Sequence, residues 1–176
     1  MTCASADRLA LGDTFYRHRN ALGPARAVLS AVDSRVLDHR PWADYHLGAI
    51  ASATGNAREA LSHLEQARTH ARLFALPELS VDATDIIATL YAALGRYEQA
   101  VSLIEANPTS DDADPCVRLT HLVNVGWVRY LAAAAGERPF DDSASREAIG
   151  LSEGACPDAW LRDNARLNIA LEKAAR

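Results

Sequence analysis

The sequence predicts an all-α chain of repeated helix–turn–helix pairs, and three observations predict it. One stretch recurs without a gap forty residues downstream; apolar residues recur at helical spacing; and all seven prolines fall where a helix should begin or end. The recurrence is Gly55-Asn-Ala-Arg-Glu-Ala-Leu-Ser-His-Leu-Glu-Gln-Ala67 on Gly95-Arg-Tyr-Glu-Gln-Ala-Val-Ser-Leu-Ile-Glu-Ala-Asn107, sharing the glycine, an alanine (Ala60, Ala100), a serine and a glutamate (Glu65, Glu105). Self-similarity at such a period marks a unit that cannot bury its apolar faces alone.

The elements follow in order. A degenerate first copy runs from about Ala6 to Val32, where Arg26-Ala27-Val28-Leu29 matches Glu59 to Ser62 in position. The second pairs a helix over Trp42–Ala53 with one after Gly55. Ala57, Ala60, Leu61, Leu64, Ala67 and Ala71 stripe that second helix at three- and four-residue spacing. Gly55 suits the left-handed residue that closes a helix, and Asn56 with Glu59 makes a capping-box-like start. The third pair repeats this over Val81–Leu94, Gly95, and a helix carrying Tyr97, Ala100, Val101 and Ile104. The fourth has Val117–Ala135, Gly136, an insertion with Pro139 and Asp141-Asp142, and a short helix around Arg146-Glu-Ala-Ile149. Asp158–Arg176, with Leu161, Ala165, Ile169 and Leu171 beside Arg162, Asp163, Arg166 and Lys173, reads as a closing helix with one wet face. The prolines, at 24, 41, 77, 108, 115, 139 and 157, interrupt none of these, as residues that remove a donor and fix φ must not.

Leu47-Gly48, Gly55, Ala60, Leu64 and Ala67 in one repeat, and Ile87-Ala88, Tyr91, Gly95, Ala100 and Ile104 in the next, resemble the tetratricopeptide family. The spacing of about forty is similar to that of bacterial regulators and kinesin-light-chain-like scaffolds. The resemblance implies one domain over 1–176, a right-handed α-solenoid with repeats near 6–33, 41–73, 79–107 and 115–151 and a cap at 157–176. The first and fourth pairs depart from the family in lacking the Leu-Gly pair, with Thr14-Phe15 and Val128-Arg129 in its place, which predicts looser or differently angled helix contacts there.

Composition narrows the function. At 176 residues, with 49% hydrophobic and 23% charged, the chain is long enough to bury a core. A net charge of -5 argues against nucleic acid and anionic lipid as partners. No stretch reaches the ~18 uninterrupted apolar residues of a membrane span, and the N-terminus lacks the pattern of an export signal. Cys3, Cys116 and Cys156 are widely spaced without a CxxC pair, which predicts unpaired thiols and a reducing cytoplasm.

No catalytic, metal or cofactor site is predicted. His63 and Glu65 point about 200° apart on a helix and His63 and His70 lie two turns apart, so these histidines read as a solvated face. Cys116 and Cys156 each adjoin a proline at a helix start but read as incidental thiols. Asp82 and Asp85 read as acids at a helix N-terminus, where the macrodipole favours them. No serine or cysteine sits in a nucleophile elbow.

In arrays of the family it resembles, the first helix of each pair lines a concave groove. Carried over by position, the groove residues are Asp13, Tyr16 and Asn20; Trp42, Tyr45 and His46; Asp82, Asp85 and Thr89; Asn124, Trp127 and Tyr130. Acids and aromatics without lysine favour a basic or apolar protein or peptide segment. The expected function is therefore a non-catalytic scaffold or adaptor. The alternatives are a ligand-sensing domain of a bacterial regulator, binding a small molecule or signal peptide, and a homodimerisation module whose open end is the first copy.

Overall fold

A computed structural model describes residues 2–17, 21–32 and 36–175, and over these the chain is all-helical, with no strand among the described residues. In chain order the helices are α1 (Thr2–Arg17), α2 (Leu22–Ser30), α3 (Arg40–Ala53), α4 (Ala57–Leu73), α5 (Pro77–Ala93), α6 (Tyr97–Glu105), α7 (Pro115–Ala134), α8 (Ser143–Ser152) and α9 (Ala159–Ala175). The chain divides into two compact units, Met1–Ala83 and Thr84–Arg176, the division falling inside α5.

Three of the turns close by one device, placed where the glycines recur. After α3, Gly55 takes φ 77°, its N–H donates to the Ser52 carbonyl at 3.0 Å, and the Asn56 N–H reaches the Ala51 carbonyl at 2.9 Å. Gly95 (φ 76°) and Gly136 (φ 83°) repeat the pattern, with Arg96 donating to Tyr91 at 2.8 Å and Glu137 to Ala132 at 3.0 Å. These paired bonds satisfy carbonyls that a helix end leaves open. Because the Asn56 N–H is spent on Ala51, Glu59 takes the Asn56 side-chain amide instead, at 2.7 Å, while the Asn56 carbonyl oxygen accepts the Glu59 N–H at 3.4 Å.

A fourth turn of the same kind has no glycine. Ala75 holds φ 53° and Leu76 donates to Ala71 at 2.8 Å. A left-handed non-glycine residue costs about 1–2 kcal/mol, and glycine's larger unfolded-state freedom returns about 0.4–1 kcal/mol of that. Ala75→Gly should accordingly raise stability by about 0.5–1 kcal/mol in urea melts, whereas Gly95→Ala should lower it by about as much. Destabilisation by Ala75→Gly would count against this turn.

Prolines open α5 (Pro77) and α7 (Pro115) and sit in the first turns of α2 (Pro24) and α3 (Pro41). Starting at Pro77 rather than the expected Val81 moves Asp82 and Asp85 into the body of α5. Their reading as N-terminal acids is thus corrected: the macrodipole is not what places them.

In the first unit α1 packs on α2 and α3, α2 on α3, and α3 on α4. Its core joins Ala25, Leu29, Leu47 and Ile50, with Leu9, Phe15 and Tyr16 against it. In the second unit α7 is central, packing on α6, α8 and α9. One cluster gathers Ala88, Ala100, Ile104, Val125, Val128 and Ala144, and another Leu119, Val123, Ala148, Leu161 and Ala165. Ala60, Ala100 and Ala148, the repeated alanines, are all fully buried.

The looser contacts expected of the first and fourth pairs are not found at Gly12 and Gly126. A Cβ on Gly12 would meet Leu29 Cγ at 2.5 Å, and one on Gly48 would meet Leu64 Cγ at 2.6 Å; on Gly126 it would collide with Ser145. The first and fourth pairs achieve close approach with glycines other than the Leu-Gly position. The outward face of α9 carries the expected Asp163, Arg166 and Lys173 and, beside them, Trp160, 71% exposed, and Leu167, 50% exposed.

Candidate functional site

Two regions bring polar and aromatic side chains together, one in each unit. In the first unit, helical spacing puts Ala6, Leu9 or Ala10, and Asp13 on one face of α1, and His39, Trp42 and His46 on one face at the start of α3. The faces border a cleft of about 350 Å³. His46 Nε2 lies 3.4 Å from Asp13 Oδ1, and its ring is flanked by Tyr16 and Tyr45 with centroids 5.9 and 5.2 Å away. Trp42 is half-buried on the cleft wall. Asp13, Tyr16, Trp42, Tyr45 and His46, expected from two successive pairs, therefore converge. His46 is only 3% exposed, so it shapes the wall more than it meets solvent. Asn20 lies outside the described residues.

Behind this cleft α3 carries a second, buried carboxylate. Asp44 is fully buried; its Oδ2 accepts from Arg40 Nε at 2.8 Å, and its Oδ1 lies 3.2 Å from His63 Nδ1. His70 Nδ1 stands 3.9 Å from Oδ2. The solvated-face reading is thereby corrected for His63, which α4 turns to Asp44 because a buried carboxylate must gather donors; His70 stops short of hydrogen-bond distance. Among the described residues no group of three or more His, Cys, Asp or Glu is arranged to hold a metal ion.

In the second unit α5 places Asp85 against α7. Asp85 is 1% exposed; His121 Nδ1 approaches its two oxygens at 2.9 and 3.1 Å, and the Asn124 amide donates to Oδ2 at 3.4 Å. Burial pushes the Asp85 carboxyl above its ordinary range, while the hydrogen bond and charge of His121 and the Asn124 contact pull it back. Asp85 is consequently not presented to a partner, a correction of its expected place on an open groove wall. Asn124 serves Asp85, and Thr89 donates to the Ile86 carbonyl of its own helix at 2.9 Å. Asp82 is half-buried and belongs to the first unit. Trp127 and Tyr130 form a row with Phe140, centroids 5.6 and 6.4 Å apart.

Cys116 and Cys156 form a disulfide, with Cα atoms 5.2 Å apart. This corrects their reading as incidental thiols. Cys116 sits at the start of α7, where Asp114 accepts its N–H at 2.8 Å, and Cys156 in the turn before α9; folding brings together two residues 40 apart in the chain. The unpaired-cysteine argument for a reducing compartment goes with it.

His39 and His121 were not singled out from the sequence. His39 shares the i, i+3, i+7 face of Trp42 and His46, and His121 lies one turn before Asn124, so helical spacing from residues already marked was the available signal. Among the described residues no helix is long and apolar enough to cross a membrane. No family model matches the chain, and neither a curated protein nor a solved structure matches it.

Proposed function

We propose that the chain is a non-catalytic binding module: a right-handed α-solenoid similar to tetratricopeptide arrays, whose concave groove takes an extended or helical segment of a partner protein. The reading rests chiefly on the convergence of Asp13, Trp42 and His46 on the α1–α3 cleft, where first helices of successive pairs meet. The repeated glycine turns support it, as does the packing of α1 on α2 and α3 and of α7 on α8 and α9, the neighbour pattern of stacked pairs. An indole beside a carboxylate suits a lysine or arginine side chain, the ring face and the negative charge acting on the same cation. The segment is therefore basic, with apolar residues alongside.

A positional peptide library probed with the purified protein tests this. Basic–apolar peptides should be selected, Trp42→Ala should weaken the best of them about tenfold or more, and Asp13→Asn should erase the preference for basic residues. Retention of no peptide, or selection indifferent to both changes, would overturn the proposal.

A further inference from the structure

We propose that a cleft in the second unit binds a small organic cation, an ammonium group carried on an apolar body. The site is separate from the α1–α3 cleft, and the inference stands whether or not that cleft binds peptide.

The cleft, of about 480 Å³, opens between α6, α7 and α8. Its volume and composition suit a small molecule, with an apolar floor that includes Leu122, Val125 and Ala144 and a few convergent polar groups, His121, Glu105 and Glu147. His121 is held in one orientation from behind. Both oxygens of Asp85 face its Nδ1, and the Asn124 amide donates to the same carboxylate. In the neutral imidazole facing an ionised Asp85 the ring proton sits on Nδ1, which leaves Nε2 as the ring's acceptor. Because Nδ1 is turned to Asp85 and the residue lines the cleft, Nε2 is the nitrogen left to a ligand.

The charge around it is negative. Glu105 and Glu147 line the cleft, and Asp85 lies directly behind His121. The one arginine on the wall, Arg129, is already committed: its guanidinium engages Glu105 at 3.0 Å, Asp141 at 2.9 Å and Ser143 at 3.2 Å. Arg138 also bonds Glu105, and Arg118 bonds Glu147, in each case through Oε1. An incoming anion would meet carboxylates and an imidazole lone pair with no uncommitted guanidinium to compensate it. An ammonium brings three donors, which match Nε2 and the carboxylates, while its apolar body covers Leu122 and Val125.

The test uses the full chain labelled with nitrogen-15 and three probes of one shape: 2-phenylethylamine, 2-phenylethanol and phenylacetate. The His121 side-chain resonances should shift saturably with the amine, more weakly with the alcohol and not with the acid. Glu147→Gln, at an exposed position that folding tolerates, should weaken the amine about two- to fivefold and leave the alcohol unchanged. Equal binding of alcohol and amine, any saturable binding of phenylacetate, or no saturable shift with the amine would each overturn the assignment.

Discussion

Reduction of the Cys116–Cys156 bond is expected to lower the unfolding free energy by about 4 kcal/mol. The bond joins residues 40 apart, and the loop it closes contains α7 and α8, both of which pack on α9. Closing a loop of that length removes unfolded-chain entropy worth about 3–4.7 kcal/mol, before any strain is counted. The buried Cys156 also borders the cluster of Leu119, Ala148 and Leu161, so a reduced chain loses a restraint on the helix that completes that cluster. Urea melts with and without a phosphine reductant measure the loss, and the Cys116→Ser/Cys156→Ala variant should match the reduced protein and no longer respond to reductant. Coincident melts of the oxidised and reduced wild type would show that the two sulfurs are not joined in solution.

The second large effect concerns the buried carboxylate of α5. His121→Leu leaves the 3.4 Å Asn124 contact to support Asp85, and breaking a buried charged pair from one side typically costs about 3–5 kcal/mol. The comparison that isolates this cost sets His121→Leu against His121→Leu/Asp85→Asn, since both lack the imidazole and differ only in the group that titrates. Burial raises the Asp85 carboxyl above its unfolded value of 3.8, and losing His121 removes the largest opposing influence. A carboxyl raised in the folded state contributes stability that is full below its unfolded value and is lost as the pH rises through its folded value. The single variant should therefore be about 3 kcal/mol less stable than the double at pH 7.5, and the gap should narrow as the solution is acidified toward pH 4. A gap independent of pH, or a single variant as stable as the double at pH 7.5, would mean that Asp85 is not held as a buried carboxylate by His121.

Much of the helical plan was legible because the signals that carry it are local. Gly55, Gly95 and Gly136 announce left-handed closures, since the steric penalty at that backbone position falls on every residue with a Cβ. Pro115 announces a helix start through its fixed φ and missing donor, whereas α5 starts at Pro77, four residues before the expected Val81. Ala60 and Ala100, matched forty residues apart, announce the buried stripe through helical spacing. The one closure that went unread, Ala75, is the one that lacks the residue such a closure favours. Asp13, Trp42 and His46 were likewise legible, as members of helix faces whose period was already known.

What only the tertiary structure decided is which distant polar groups meet. Asp85 reads from the sequence as a surface acid near a helix start, and Asp44 carries no signal at all, because a carboxylate's burial depends on donors supplied by another helix. Those donors are His121, 36 residues away, and His63, 19 residues away. The same holds for Cys116 and Cys156, whose spacing fits no local motif and whose pairing depends on α7 and the turn before α9 arriving within 5.2 Å. By itself the sequence determined where helices start, stop and turn an apolar side, since φ preference and periodicity act within a few residues. The buried Asp–His pairs, the disulfide and the two clefts were decided by packing, because a polar group's environment is made by residues its own neighbourhood does not contain.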